Sequence, residues 1–116
     1  MNIIFHIAQR QQWEQAKFLG SYSTDSLETE GFIHCSKPTQ IITVANRLFS
    51  NQKELVLLFI DSDKVQPEIL YEAAEIGEFF PHIYGELNID AVFQVIDFEA
   101  GEDGFFTLPQ EVIDLE

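Results

Sequence analysis

Cysteine is nearly absent: Cys35 is the only one in 116 residues. An internal disulfide is therefore excluded, and a reducing compartment is the expectation. Cations are almost as scarce. Six Lys and Arg stand against twenty Asp and Glu, for a formal net charge of −14. A nucleic-acid backbone needs cations to displace its counterions, so no nucleic acid is expected as a partner. Long apolar runs are missing too. The longest, residues 55–60, falls far short of the ~20 residues of a bilayer-spanning helix, so no membrane partner is expected. The amino-terminal residues enter an amphipathic strand pattern instead of a basic-then-apolar leader, and a cytoplasmic location is the expectation. Glycine-rich phosphate loops, Cys-x-x-Cys and Gly-x-Ser-x-Gly are all lacking. Their absence argues against P-loop, dinucleotide-fingerprint, dithiol-redox and serine-hydrolase chemistry.

The chain does have the means to fold. Hydrophobic residues make up 46% of it, and eleven are Phe. That content exceeds what an acidic disordered chain carries. Its length suits one domain over residues 1–116 with a single core. Charge is unevenly spread. Residues 1–53 sum to +1 and residues 54–116 to −15. The second half reads as a solvated, solubilising surface. In the first half Arg10, Lys37 and Arg47 have few acids nearby in sequence, which suits a small anionic ligand.

Hydrophobic periodicity orders the elements. Residues 2–8 read as a strand rich in Ile and Phe. Residues 10–19 read as a helix with Trp13, Ala16 and Leu19 on one face and Gly20 as its stop. Residues 21–30 read as a polar loop with at most a short extended piece, and residues 32–35 as a strand buried on both faces. A helix start at Ser36-Lys37-Pro38-Thr39 precedes the stripe Ile41, Val44, Ala45, Leu48, Phe49. Residues 55–60 form the strongest strand, followed by a turn or single helical turn over 61–65 and a short strand over 69–71. A loop is expected over 72–80, a brief extension over 82–84, a strand over 91–98, an edge strand over 105–108, and a tail from Pro109. The class is α+β, a small split β-sheet with two helices in the amino-terminal half.

Three histidines close short apolar segments: Phe5-His6-Ile7, Ile33-His34-Cys35 and Pro81-His82-Ile83-Tyr84-Gly85. A buried histidine needs hydrogen-bond partners, and three at strand ends suggest one shared cleft. Strand alternation puts His6 with Ile4 and Ala8, and His34 with Ser36. Cys35 then points away from His34 into the core as a small hydrophobe. His82 shares a face with Tyr84, whose ring can stack and whose phenol can bond. Arg47 lies off the apolar stripe of its helix and reads either as a surface charge or as a phosphate or carboxylate clamp. No two histidines have helical or hairpin ligand spacing, so no metal is expected. For a shared site, strands 2–8 and 32–36 must be adjacent.

The segments Trp13-Glu14-Gln15-Ala16, Glu30-Gly31-Phe32-Ile33-His34-Cys35-Ser36, Val44-Ala45-Asn46-Arg47-Leu48-Phe49, Leu57-Leu58-Phe59-Ile60-Asp61 and Phe80-Pro81-His82-Ile83-Tyr84-Gly85, with Phe5-His6-Ile7, resemble the bacterial domain of unknown function 952. The resemblance spans about residues 3–98 and leaves 99–116 as a carboxy-terminal extension. That family in turn resembles a minimal ADP-ribosyltransferase fold, nearest to the RNA 2′-phosphotransferases. The resemblance implies a split sheet with a ligand cleft, NAD as candidate cofactor, and transferase activity at a ribose. It implies catalytic roles for His6, His34 and Tyr84, with Glu86 as the alternative at the third position. Ser36, Lys37, Arg47 and His82 would bind ligand. One departure is that Ile7 and Ala8 follow His6, where NAD-binding relatives have Gly-Thr for close backbone approach. Three readings stay open: a nucleotide- or NAD-like-ligand enzyme, a non-catalytic small-anion binding module, and a partner-binding domain with core histidines. The sequence leaves the oligomeric state open.

Overall fold

The computed structural model describes residues 2–74 and 77–115. The chain runs β1 (Ile3–Gln9), α1 (Arg10–Leu19), β2 (Ser21–Tyr22), α2 (Asp25–Thr29), β3 (Ile33–His34), a 3-10 turn (Pro38–Gln40) and α3 (Ile41–Leu48). It continues with β4 (Leu55–Asp61), a 3-10 turn (Ser62–Lys64), β5 (Ile69–Ala73), β6 (Phe79–Ile83), β7 (Leu87–Asn88), a 3-10 turn (Ile89–Ala91), β8 (Val92–Asp97) and α4 (Gln110–Ile113). The α+β expectation holds, and the pairing is antiparallel throughout. Among the described residues no helix is long and apolar enough to cross a membrane.

β4 is buried along its whole length. It lies between β1 and β8 in the sheet β1-β4-β8, and its alternation divides the interior in two. Val56, Leu58 and Ile60 face a core with Ile4, Ala8, Trp13, Tyr22, Ile33 and Cys35. Leu55, Leu57 and Phe59 face a second core with Phe5, Ile7, Ile41, Ala45, Phe98, Phe106 and Val112. A second sheet runs β3-β6-β5, and β2 pairs with β7. The two larger sheets touch at one bridge. The Phe5 N–H donates to the Ser36 carbonyl at 2.8 Å, and the Ser36 N–H returns a bond to the Phe5 carbonyl at 2.8 Å. The adjacency of residues 2–8 and 32–36 is thus real but local.

Several expectations need correction. Residues 21–30 hold the short extended piece expected there, as β2, but also the helix α2, which was not expected. β7 was not foreseen. Leu19 does not join Trp13 and Ala16 in the core and is 79% exposed. Gly20, in the left-handed region at φ 90°, ends the helix there, and the chain turns to place Tyr22 beside Trp13, ring centroids 6.1 Å apart. Tyr22 fills the space Leu19 was expected to take. Leu48 is likewise exposed, while Ile41 and Ala45 carry the burial of α3. The expected loop over 72–80 is shorter, because β5 runs to Ala73 and β6 starts at Phe79; Glu75 and Ile76 of that expected loop lie outside the described residues.

Residues 105–108 form no strand, and the tail from Pro109 holds α4, with Glu116 outside the described residues. The Phe106 ring stacks on Phe98 with centroids 4.8 Å apart. The Phe106 N–H donates to Asn46 Oδ1 on α3 at 2.8 Å. A side-chain clip replaces strand pairing here. Asn46→Ala leaves that half-buried N–H without its acceptor and is expected to lower stability by about 1–2 kcal/mol. Urea denaturation checks this, and an unchanged midpoint would show the clip to be idle.

Candidate functional site

Where the sheets part beyond the Phe5–Ser36 bridge, a cavity of about 630 Å³ opens. β1 places His6 on the face toward the first core, opposite Leu58 of β4. His6 is buried. Its Nδ1 lies 2.6 Å from the His34 carbonyl, and its Nε2 lies 2.9 Å from the Tyr22 hydroxyl. A carbonyl only accepts, so Nδ1–H donates. In the neutral ring Nε2 then accepts the Tyr22 O–H. Burial lowers the His6 pKa from 6.5 to about 4, against the raising effect of the His34 carbonyl. His6 is therefore neutral at physiological pH. Burial also pushes the Tyr22 phenol well above its ordinary value. The pair ties β1 to β3 and β2 by neutral hydrogen bonds and fixes one wall of the cavity.

His34 and His82 stand directly opposite each other where β3 pairs with β6. Their rings meet edge-on with centroids 5.3 Å apart. Each has its own glutamate. His34 Nε2–H donates to Glu30 Oε2 at 3.0 Å, and His82 Nδ1–H donates to Glu72 Oε1 at 2.8 Å. Phe32 stacks on His82 at 4.0 Å between centroids and meets His34 edge-on at 4.8 Å. Hydrogen bonds from Tyr84 and then His82 hold the Glu72 carboxyl below its usual range. The same contact with Glu72 raises the Tyr84 phenol.

His6, His34, Ser36, Arg47 and His82 all line the cavity, so five of the expected site residues converge. Two do not. Lys37 does not line it; its backbone N–H donates to Gln40 Oε1 at 2.9 Å in the turn before α3. Tyr84 is also outside the lining, with its hydroxyl on Glu72 at 2.5 Å and its ring against Phe32. Glu86 is exposed and accepts from Ser21. Arg10, expected near the histidines, pairs instead with Glu54 and Asp97 across β4 and β8. The acidic second half neutralises it. Among the described residues no cluster of three or more His, Cys, Asp or Glu side chains is arranged to hold a metal.

Sequence reasoning missed Tyr22, Glu72 and Phe32. Tyr22 stands in a polar stretch with no periodicity to mark it. Glu72 becomes visible only when β5 is paired, because it reaches His82 diagonally across the register Glu72↔Phe80. Cys35 faces the first core, away from the His34 ring, and burial raises its thiol far above the ordinary range. Alkylation of Cys35 is expected only after unfolding. Mass analysis after iodoacetamide treatment of native and urea-unfolded protein tests this, and rapid labelling of the native protein would contradict it.

A family model described as "Protein of unknown function (DUF952)" matches residues 7–95. The crystal structure of Protein CC0527 from Caulobacter crescentus is 29% identical, covers 97% of this chain and 99% of its own, and superposes with a TM-score of 0.88. The solution NMR structure of CC0527 is 30% identical over 96% of this chain and 97% of its own, with a TM-score of 0.82. No curated protein matches. These neighbours share the α+β fold and do not extend the likeness to ADP-ribosyltransferases.

Proposed function

The chain belongs to the DUF952 family of proteins of unknown function, and we propose that its cavity binds a small phosphorylated, nucleotide-like anion. The observation that carries this is the convergence of Arg47, His34, His82 and Phe32 on one cavity of about 630 Å³. That volume falls in the range of small-ligand sites. Arg47 and Thr43 stand four residues apart on α3, so a guanidinium fork and a hydroxyl share one helix face. This combination suits phosphate. Phe32 offers an aromatic ring for the ligand's apolar part.

The choice between turnover and binding rests on His6. Transfer at a ribose, with NAD as candidate, would ask His6 to hydrogen-bond the ligand. Both its ring nitrogens are engaged internally, and releasing either leaves a buried polar group without its partner. Binding without turnover is therefore the reading taken, with His6 as a positioning residue. Polymeric nucleic acid remains disfavoured by the net charge of −14.

The test is titration calorimetry with NAD, ADP-ribose and adenosine monophosphate. At least one is expected to bind. Arg47→Ala should weaken it by about 2–3 kcal/mol, roughly 30- to 150-fold, without loss of fold. A variant that binds like the wild type would show that Arg47 does not hold the anion.

A further inference from the structure

His82 differs from its two fellow histidines in one respect. His6 uses both ring nitrogens inside the fold, and the His34 side chain is half exposed at the mouth of β3. His82 is buried and has one nitrogen engaged, Nδ1, on Glu72. Its Nε2 has no hydrogen-bond partner among the described residues. No buried side-chain nitrogen or oxygen among those residues is left unsatisfied. Nε2 must therefore be reachable, and the space His82 lines is the cavity.

The surroundings hold the ring in that pose. Phe32 lies nearly parallel to it, at 15° between planes, and His34 closes its edge. Glu72 accepts from His82 and Tyr84 with the same oxygen, so the carboxylate is itself held. A carboxylate cannot donate a hydrogen bond. The neutral imidazole is thereby restricted to the tautomer with the proton on Nδ1 and a lone pair on Nε2.

We infer that His82, oriented by Glu72, is a fixed hydrogen-bond acceptor inside the cavity, and that the ligand is a phosphorylated compound that also carries a hydroxyl, such as a sugar phosphate or a nucleotide. An O–H donor is what an unpartnered imidazole nitrogen in an apolar surround selects, since an alkyl group placed there leaves the nitrogen without water or partner. This rests on the anion-binding reading above and narrows its ligand class. Arg47 takes the phosphate, and Nε2 of His82 reads the hydroxyl.

Two measurements test it. The first needs no ligand. A long-range ¹H–¹⁵N spectrum of the neutral ring should place the His82 proton on Nδ1. A proton on Nε2 would overturn the inference. Glu72→Gln removes the tautomer restriction, because an amide can donate as well as accept, and the Nε2–H form should then appear.

The second compares ribose 5-phosphate with n-pentyl phosphate, which has the same number of carbons and no hydroxyl. The ratio of their affinities should fall about tenfold from wild type to His82→Phe, which keeps a ring stacked on Phe32. Glu72→Gln should lower the ratio in the same direction, and it decides the point if His82→Phe does not fold. A ratio unchanged in the folded variants overturns the hydroxyl assignment alone. Failure of both phosphates to bind the wild type overturns the anion reading beneath it and the ligand class with it.

Discussion

Acidification is expected to cost the wild-type fold about 3 kcal/mol that a His6→Gln variant does not lose. Burial lowers the His6 pKa from 6.5 to about 4. In the unfolded chain the same ring takes up its proton near pH 6.5. Between these values the unfolded state binds a proton that the native state refuses. The contribution is present in full above about pH 6.5 and is lost as pH falls through about 4. Protonation would also turn Nε2 into a donor facing the Tyr22 hydroxyl and break the present bond arrangement. Acid also relieves repulsion among the twenty carboxylates, but that effect is common to both proteins and cancels in the difference. Urea unfolding of each at a series of pH values gives the two curves. Parallel curves would show that His6 is not held neutral by the fold.

Leu58→Ala is expected to cost about 3–4 kcal/mol. Leu58 is fully buried in the middle strand of the sheet β1-β4-β8, in the same core as Tyr22 and Cys35. Neighbouring strands on both sides prevent β4 from collapsing into the space left behind, so most of the cavity term persists. Against a typical total of about 5–15 kcal/mol, this is a large share. Leu48→Ala, at a side chain 68% exposed on α3, provides the contrast and is expected to change stability by less than about 0.5 kcal/mol. Comparable losses at both positions would contradict the two-core arrangement about β4.

The sequence showed most clearly the elements whose periodicity is long. β1, α1, α3 and β4 each run seven residues or more, and their apolar pattern placed them within a residue or two. α2 and β7, at five and two residues, are too short for a pattern to register. α2 has no buried residue at all. The strand expected over 105–108 fails for a different reason. Its apolar residues do not alternate toward one sheet; Phe106 alone enters the second core, clipped by Asn46.

Within the candidate site, the histidines were legible because each interrupts a short apolar segment, although β1 holds His6 at its middle and His34 is half exposed. Their partners were not. Glu72 and Tyr22 carry no local mark, and only tertiary pairing brings them to His82 and His6. Tyr84 was correctly placed on the face of His82, since both reach one oxygen of Glu72. It lies one step past the cavity, and its phenol is committed to that carboxylate. Lys37 shows the limit of proximity along the chain. It stands beside Ser36, yet the turn into α3 takes it away from the lining.

The central claim, that the cavity holds a small phosphorylated anion, is tested most directly by chemical-shift mapping of the wild-type protein with ADP-ribose, reading backbone amides and histidine ring signals together. Shifts are expected to concentrate at Phe32, His34, Thr43, Arg47 and His82, which line the cavity, with α4 unmoved. Shifts centred on α4, or no shift at millimolar ligand, would contradict it.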